Sequence, residues 1–393
     1  MSKTEWKECT LGSVCDLVAG YAFKSADFGD FNSKVIKITH ITPPRVDEAS
    51  LAGVDISKYD ASKLGKYVVQ SGDYVFAMTG ATIGKIGRLY KGEAYINQRV
   101  LTFRNKESII NKDFLYYVLL KDEFAKYVYN HIDSESAQPN ISANTVAKYT
   151  FDLPPIEKQK EIAKILSSLD DKIELNNAIN RNLEEQAQAI FKSWFVDFEP
   201  FGGEMPSNWT IGKLPNIADI TMGQSPDGKS YNENGNGVVF YQGRAEFGWR
   251  FPTRRLFTTA PGRMAKKYDT LMSVRAPVGD LNIANEDCCI GRGLAAIHSK
   301  DNHQSFVHYT ITALKPKLDM YNGEGTVFGC INRDSLSNME VIIPCKQNLD
   351  KFESLISALD AEIFYRSEEN RRLMILRDTL LPKLMSGEME LSC

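Results

Sequence analysis

Apolar residues recur along two stretches of the chain at heptad spacing. In the first stretch Ile162, Leu169, Asn176, Leu183 and Ile190 lie seven apart, and Leu166, Ile173, Asn180, Ala187 and Trp194 form a second seam offset by four. A two-seam stripe of this kind predicts a long helix that packs as a coiled coil. Pro154-Pro155 marks its start, where proline is tolerated, and Pro200 with Gly202-Gly203 marks its end. A helix of roughly 40 residues would be about 60 Å long. The frame returns 190 residues later: Phe352, Leu359, Arg366, Leu373 and Leu380 make one seam, and Ile356, Ile363, Asn370, Arg377 and Leu384 the other, with Gly387 near the end. Polar residues interrupt both stripes at the same height, Asn176 matching Arg366 and Asn180 matching Asn370. A polar residue in such a seam costs stability and can fix register. If the helices pack antiparallel about a pseudo-two-fold axis, these four residues form a polar layer at the crossing.

The segments before each stripe read differently. Short apolar runs punctuated by glycine, such as Val35-Ile36-Lys37-Ile38, Tyr74 to Met78 and Val238 to Tyr241, predict strands. A helical pattern fits Phe114 to Tyr129, with an equivalent from Phe306 to Leu318 that contains Pro316. These segments repeat as well: Trp6, Leu11, Asp16 and Gly20 return as Trp209, Leu214, Asp219 and Gly223. The repeat is a duplicated domain plus helix, not a solenoid. The expected fold class is therefore α+β: two similar mixed α/β domains, at 1–152 and 201–342, each followed by a long helix, at 153–200 and 343–393, with the helices packed as an antiparallel coiled coil. Insertions and deletions within the repeat fall inside the mixed domain and not in the helix, which suits variable readers on an invariant spacer.

Composition, with 43% hydrophobic and 25% charged residues, is that of an ordinary globular protein. No apolar run is long enough for a membrane span, and the opening residues form no apolar signal region, so a cytoplasmic location is expected. The seven cysteines have no Cys-x-x-Cys spacing and are expected as reduced thiols. His298, His303 and His308, five apart, do not stack on a helix face, so no metal site is expected. Net charge is −3, but it is uneven. Residues 1–150 carry 19 Lys and Arg against 17 Asp and Glu, whereas residues 151–200 carry 6 against 10. A phosphate backbone would be met by local patches on the mixed domains.

One resemblance covers nearly the whole chain. Leu153-Pro154-Pro155-Ile156-Glu157-Lys158-Gln159, running on to Leu169-Asp170, resembles the central segment of type I restriction–modification specificity subunits. Asp73 to Lys85 followed by Tyr95-Ile96-Asn97-Gln98 is similar to the strand–loop–strand of their target recognition domains. A second copy runs from Asp269 to Gly279 and on to Ile290-Gly291-Arg292-Gly293, with Gly291-Arg292 standing where Asn97-Gln98 would be. The resemblance implies a chain that does no chemistry and binds no cofactor. Each recognition domain would read one half of a bipartite, asymmetric site on double-stranded DNA. The long helices would separate the domains and dock two methyltransferase subunits, which carry S-adenosylmethionine and methylate adenine. A nuclease/translocase (restriction) subunit can join. Two half-sites read from one face of the duplex would fall about one helical turn, roughly 34 Å, apart.

Base edges carry sequence information and phosphates do not. The strongest basic stretch runs from Arg244 to Lys267 and holds Arg244, Arg250, Arg254, Arg255, Arg263, Lys266 and Lys267 against one acid, Glu246. Arginine pairs with guanine and glutamine with adenine through two-point contacts. Gln242 and Arg244 are therefore the expected base readers, and Arg254, Arg255, Lys266 and Lys267 the phosphate contacts, with Arg250 a further expected DNA-binding residue. Arg275 stands in the second copy of the strand–loop motif. In the first half, Lys37, Thr39 and His40 match the Gln242–Arg244 loop in order, and Thr79, Gly80, Thr82 and Lys85 form the glycine-bearing loop. Lys58, Lys63 and Lys66 could also meet phosphates. His40 fits a satisfied core histidine equally well.

Three other readings compete with this one. Intrinsic adenine methylation would need an Asp/Asn-Pro-Pro-aromatic tetrapeptide to hold the flipped base. The Pro-Pro pairs here are Thr42-Pro43-Pro44-Arg45 and Leu153-Pro154-Pro155-Ile156, and neither supplies it. A coiled-coil scaffold without DNA reading would explain the heptads but not the duplicated glycine-rich domains. A specificity subunit serving a fused nuclease–methyltransferase partner cannot be separated from the first reading by this chain.

Overall fold

A computed structural model describes residues 6–133, 139–322 and 329–389. The chain divides into two compact units, Met1–Glu174 with Arg371–Cys393, and Leu175–Asn370. Two 40-residue helices, Ile156–Phe195 and Lys346–Met385, each contribute to both units.

In the first unit, strands Lys7–Thr10 and Thr150–Leu153 pair antiparallel and close the ends of the mixed part. Between them, one sheet holds Phe28–Ile36 beside Glu93–Ile96 in parallel, with Ala52–Val54 and Val68–Gln70 on its edges. A second sheet places Val100–Asn105 between Cys15–Ala19 and Tyr74–Ala77. The second unit repeats the plan. Strands Thr210–Lys213 and Glu340–Ile343 close its ends, Val238–Tyr241 runs parallel to Cys288–Ile290, and Leu294–Ser299 lies between Ala218–Met222 and Thr270–Ser273.

The apolar stretch from Phe114 forms two helices, Lys112–Leu119 and Asp122–Asn130. Lys121 leaves the helical region (φ −67°, ψ 144°), and Asp122 and Glu123 begin the new helix with acids at its positive end. Its equivalent is also broken, into Gln304–Ala313 and Lys315–Asp319, with Pro316 in the first turn of the second piece, where no N–H is needed.

None of the twenty predicted seam positions on the long helices is exposed. In the first unit Ile162 and Leu166 share one core with Leu384 and with Phe114 and Tyr117 of the mixed part. In the second, Ala187, Phe191 and Phe195 share a core with Phe352, Ile356, Phe306 and Tyr309. The helix segments run antiparallel within each unit. Asn176 meets Asn370 and Asn180 meets Ser367 in the second, and Asp170 meets Arg377 in the first. Among the described residues, no helix is long and apolar enough to cross a membrane.

Candidate nucleic-acid interface

Each unit contains the same turn. The Val100 N–H donates to the Asn97 carbonyl at 2.8 Å, closing Asn97-Gln98-Arg99-Val100, and the Leu294 N–H donates to the Gly291 carbonyl at 2.9 Å, closing Gly291-Arg292-Gly293-Leu294. Both turns leave the inner parallel strand and enter the next one. A neighbouring strand end laces onto each in the same way. Gly20 donates to Val100 (2.8 Å) and Tyr21 to Ile96 (2.9 Å), while Gly223 donates to Leu294 (2.9 Å) and Gln224 to Ile290 (3.0 Å). A Cβ on Gly20 would lie 2.3 Å from the Asn97 carbonyl oxygen, and one on Gly223 2.2 Å from that of Gly291. The repeat keeps glycine at both places because a side chain there would push the turn away.

Two further loops converge on each turn. Asn97 donates to Ile36 and Gly291 to Tyr241, so Lys37 and Gln242 directly follow the contact. Met78 donates to Arg99 and Val274 to Gly293, which places Thr79 and Arg275 next along the chain. The first unit thus gathers Lys37, Thr79 and Gln98, and the second Gln242, Arg275 and Arg292.

In the first unit Thr39, Lys85, Gln98 and Arg99 are exposed. Lys37 is half-buried, its ammonium 3.7 Å above the Phe28 ring. Three expected DNA contacts are structural instead. Thr79 is buried and donates its hydroxyl to the Pro139 carbonyl at 2.8 Å, where Gly80 also donates its N–H at 3.0 Å. Thr82 turns its hydroxyl back to the Thr79 carbonyl. His40 is buried, and its Nδ1 accepts the Lys37 N–H at 3.1 Å, so it holds the loop shut. Burial lowers its pKa and keeps it neutral. Of the scattered lysines, Lys58 pairs with Asp27 at 3.0 Å, Lys63 with Asp60 at 3.6 Å, and Lys66 lies over Tyr67.

The second unit corrects the basic stretch more strongly. Arg250, an expected DNA-binding residue, is instead buried and paired with Glu184 and Asp360, both on the long helices. Arg244 meets Asp280, Arg254 meets Glu286, and Arg255 meets the buried Glu246 at 2.5 Å. Lys267 is exposed and lies over the Tyr268 and Phe364 rings, 4.7 and 4.6 Å from their centroids. Exposed Lys266, Arg275 and Arg292 have no ion pair among the described residues, and Gln242 is exposed, its carbonyl accepting from the Gly293 N–H of the Arg292 turn. Sequence reasoning did not single out Gln98, Arg99 and Arg292, which the fold places on the two turns. Their signal was present in the drifted pair Asn97-Gln98 and Gly291-Arg292.

A type I restriction modification DNA specificity domain model matches residues 3–185 and again 206–368. The chain belongs to the type I restriction–modification specificity family. A putative specificity subunit of the type I restriction enzyme MjaX from Methanocaldococcus jannaschii is 30% identical over 98% of this chain and 93% of its own length. The HindI specificity subunit of Haemophilus influenzae is 24% identical over 98% of this chain and all (100%) of its own. The crystal structure of a type I S subunit from M. genitalium shares the fold, with a TM-score of 0.62 at 16% identity, over 98% of this chain and 97% of that one.

In this member of the specificity family the long helices carry polar devices of their own. Asn176 donates to Asn370 Oδ1 (2.9 Å) and Glu369 (2.7 Å) and accepts from Arg366 (3.1 Å). Asn370 donates to Asn177 at 2.8 Å, and Asn180 to Ser367 at 3.2 Å. All four expected layer residues take part. Asn176 meets its own equivalent, Arg366, whereas Asn180 turns to Ser367. A second device, unread in the sequence, docks the mixed parts on the helices. Tyr117 donates to Asp170 at 2.7 Å, and its counterpart Tyr309 donates to Asp360 at 3.2 Å. Buried Gln159 accepts the Asn111 N–H at 2.8 Å, capping the first short helix, and Glu353 accepts from Ser305 and Phe306 to cap its counterpart. The histidines are engaged singly: His298 with Asp269, His303 with Asp350, and His308 with Thr270. Among the described residues no group of three His, Cys, Asp or Glu could hold a metal ion.

Proposed function

We propose that this chain is the DNA-reading subunit of a type I restriction–modification assembly in the cytoplasm. Residues 1–152 and 201–342 act as the recognition domains, and 153–200 and 343–393 as helical spacers. Each domain presents its three converging loops to one half of a bipartite, asymmetric site on double-stranded DNA. The helices dock two methyltransferase subunits, and a nuclease/translocase subunit can join. The chain itself is not a catalyst. S-adenosylmethionine belongs to the partners, which methylate adenine.

The observation that carries this reading is the pair of matched turns. Their backbones share the same hydrogen bonds, yet they present Gln98-Arg99 in one unit and Arg292-Gly293 in the other. Two readers of one design with different side chains are what two unlike half-sites require.

The test is to co-express the chain with its methyltransferase partner and map adenine methylation on single genomic molecules. One asymmetric bipartite motif should appear, and should vanish when this chain is removed. An active partner that methylates the same motif without it would overturn the reading. DNA binding by the complex should also weaken steeply as salt rises, as counterions released from phosphates demand.

A further inference from the structure

We infer that positions 98 and 292 are base readers, with Gln98 selecting adenine in the half-site of the first unit and Arg292 selecting guanine in that of the second. The inference rests on the DNA-reading role proposed above.

Both residues occupy the second place of the four-residue turn closed by Val100 to Asn97 and by Leu294 to Gly291, and both are exposed. The turn is held on the strand side by Gly20 and Tyr21 in one unit and by Gly223 and Gln224 in the other. In the second unit the Arg292 N–H also donates to the Ser225 hydroxyl at 3.3 Å. A loop backbone braced this way loses little further freedom on binding, so only the side chain remains to be ordered.

Charge separates Arg292 from the paired arginines of its unit. Arg244, Arg254 and Arg255 each face a carboxylate, whereas Arg292, like Arg275 beside the turn, has no ion pair among the described residues. Its guanidinium therefore reaches DNA without first breaking a contact. A phosphate contact would explain Arg292 but not Gln98, which carries no charge to release counterions. What the two residues share is a planar head that makes two hydrogen bonds in one plane. That geometry matches guanine O6 and N7 for arginine, and adenine N6 and N7 for glutamine. The adjoining positions Lys37 and Gln242 follow the same pattern of donors set beside the turn.

The test uses the full complex with methyltransferase subunits, and three variants: Arg292→Gln, Arg292→Lys and Gln98→Arg. Methylated motifs are mapped by single-molecule sequencing, and folding is checked by thermal melting. Arg292→Gln should switch one position of one half-site from G·C to A·T, with roughly 10- to 100-fold discrimination lost against the original base. Gln98→Arg should make the converse switch in the other half-site. Arg292→Lys keeps the charge but loses the fork, so it should weaken the base preference while keeping the salt dependence of non-specific binding. An unchanged motif in all three variants overturns the inference. So does a loss from Arg292→Gln that is equal for every sequence and accompanied by a shallower salt slope, the mark of a phosphate contact. If the unaltered complex methylates no bipartite motif, it is the DNA-reading role that fails. If Arg292→Gln melts early, Arg292→Lys and Gln98→Arg decide.

Discussion

Arg250 lies 2.5 Å from Asp360, across 110 residues of sequence. With Glu184 on the other long helix and the Tyr309 hydroxyl at 3.2 Å, it bolts the mixed part of the second unit to both of its helix segments. Arg250→Ala would leave two carboxylates in a poorly solvated place without their cation. We expect a loss of about 3–5 kcal/mol, measured as a fall in the urea midpoint. Lower DNA affinity with unchanged stability would instead return Arg250 to the DNA contacts.

The polar layer should behave as a register device. Asn370→Leu removes the acceptor of Asn176 and the donor to Asn177. Stranding buried amides should cost about 1–3 kcal/mol. Replacing Asn176 and Asn370 together by leucine should recover part of that loss, because two facing apolar side chains need no partners, although Arg366 loses its acceptor. Denaturation of the two single variants and the double variant measures the coupling, and strictly additive losses would show that the layer does not act as a unit.

Gly20→Ala and Gly223→Ala should act locally. Each Cβ would meet carbonyl oxygen at 2.3 or 2.2 Å, so the bracing strand must shift away from the reading turn. Binding to DNA with one half-site scrambled would separate the two. Gly20→Ala should weaken only the half-site of the first unit and Gly223→Ala only that of the second. An effect of either alanine on both half-sites would break the assignment of one turn to one half-site.

Burial, helped by the nearby Arg250 cation, holds the His308 pKa well below its ordinary 6.5. The unfolded chain takes up a proton below that pH and the folded chain does not. Stability contributed by neutral His308 is therefore complete above pH 6.5 and is lost as pH falls below it, by up to about 1.4 kcal/mol per pH unit for one proton. Glu353 works the other way, since burial raises its pKa above the ordinary 4.5 and stability falls as pH rises through that window. Between pH 6.5 and 5.5, His308→Gln should flatten the slope of unfolding free energy against pH. An unaltered slope would mean that another group takes up the proton.

The long helices were legible because their signal is local and periodic. Each seam residue needs only its neighbours three, four and seven away to define a face, and all twenty positions are shielded in the fold. The polar layer followed from the same frame. The repeat also announced Gly20 and Gly223, though not their reason. The binding residues were harder, since a segment's charge count sees only that segment. Arg244 finds Asp280, Arg254 finds Glu286, and Arg250 finds Asp360, all acids outside the basic stretch. The equivalent positions on the helices also diverge: Asp171 and Glu174 meet Arg88 and Arg45, whereas Ala361 and Phe364 stand in their places in the second unit. Periodicity thus determined the helices and the duplication, and the sequence motifs carried the resemblance to the family. Tertiary structure alone decided which cations remain free to meet DNA, because ion pairing and desolvation depend on distance in space, and the partners are brought together from far along the chain.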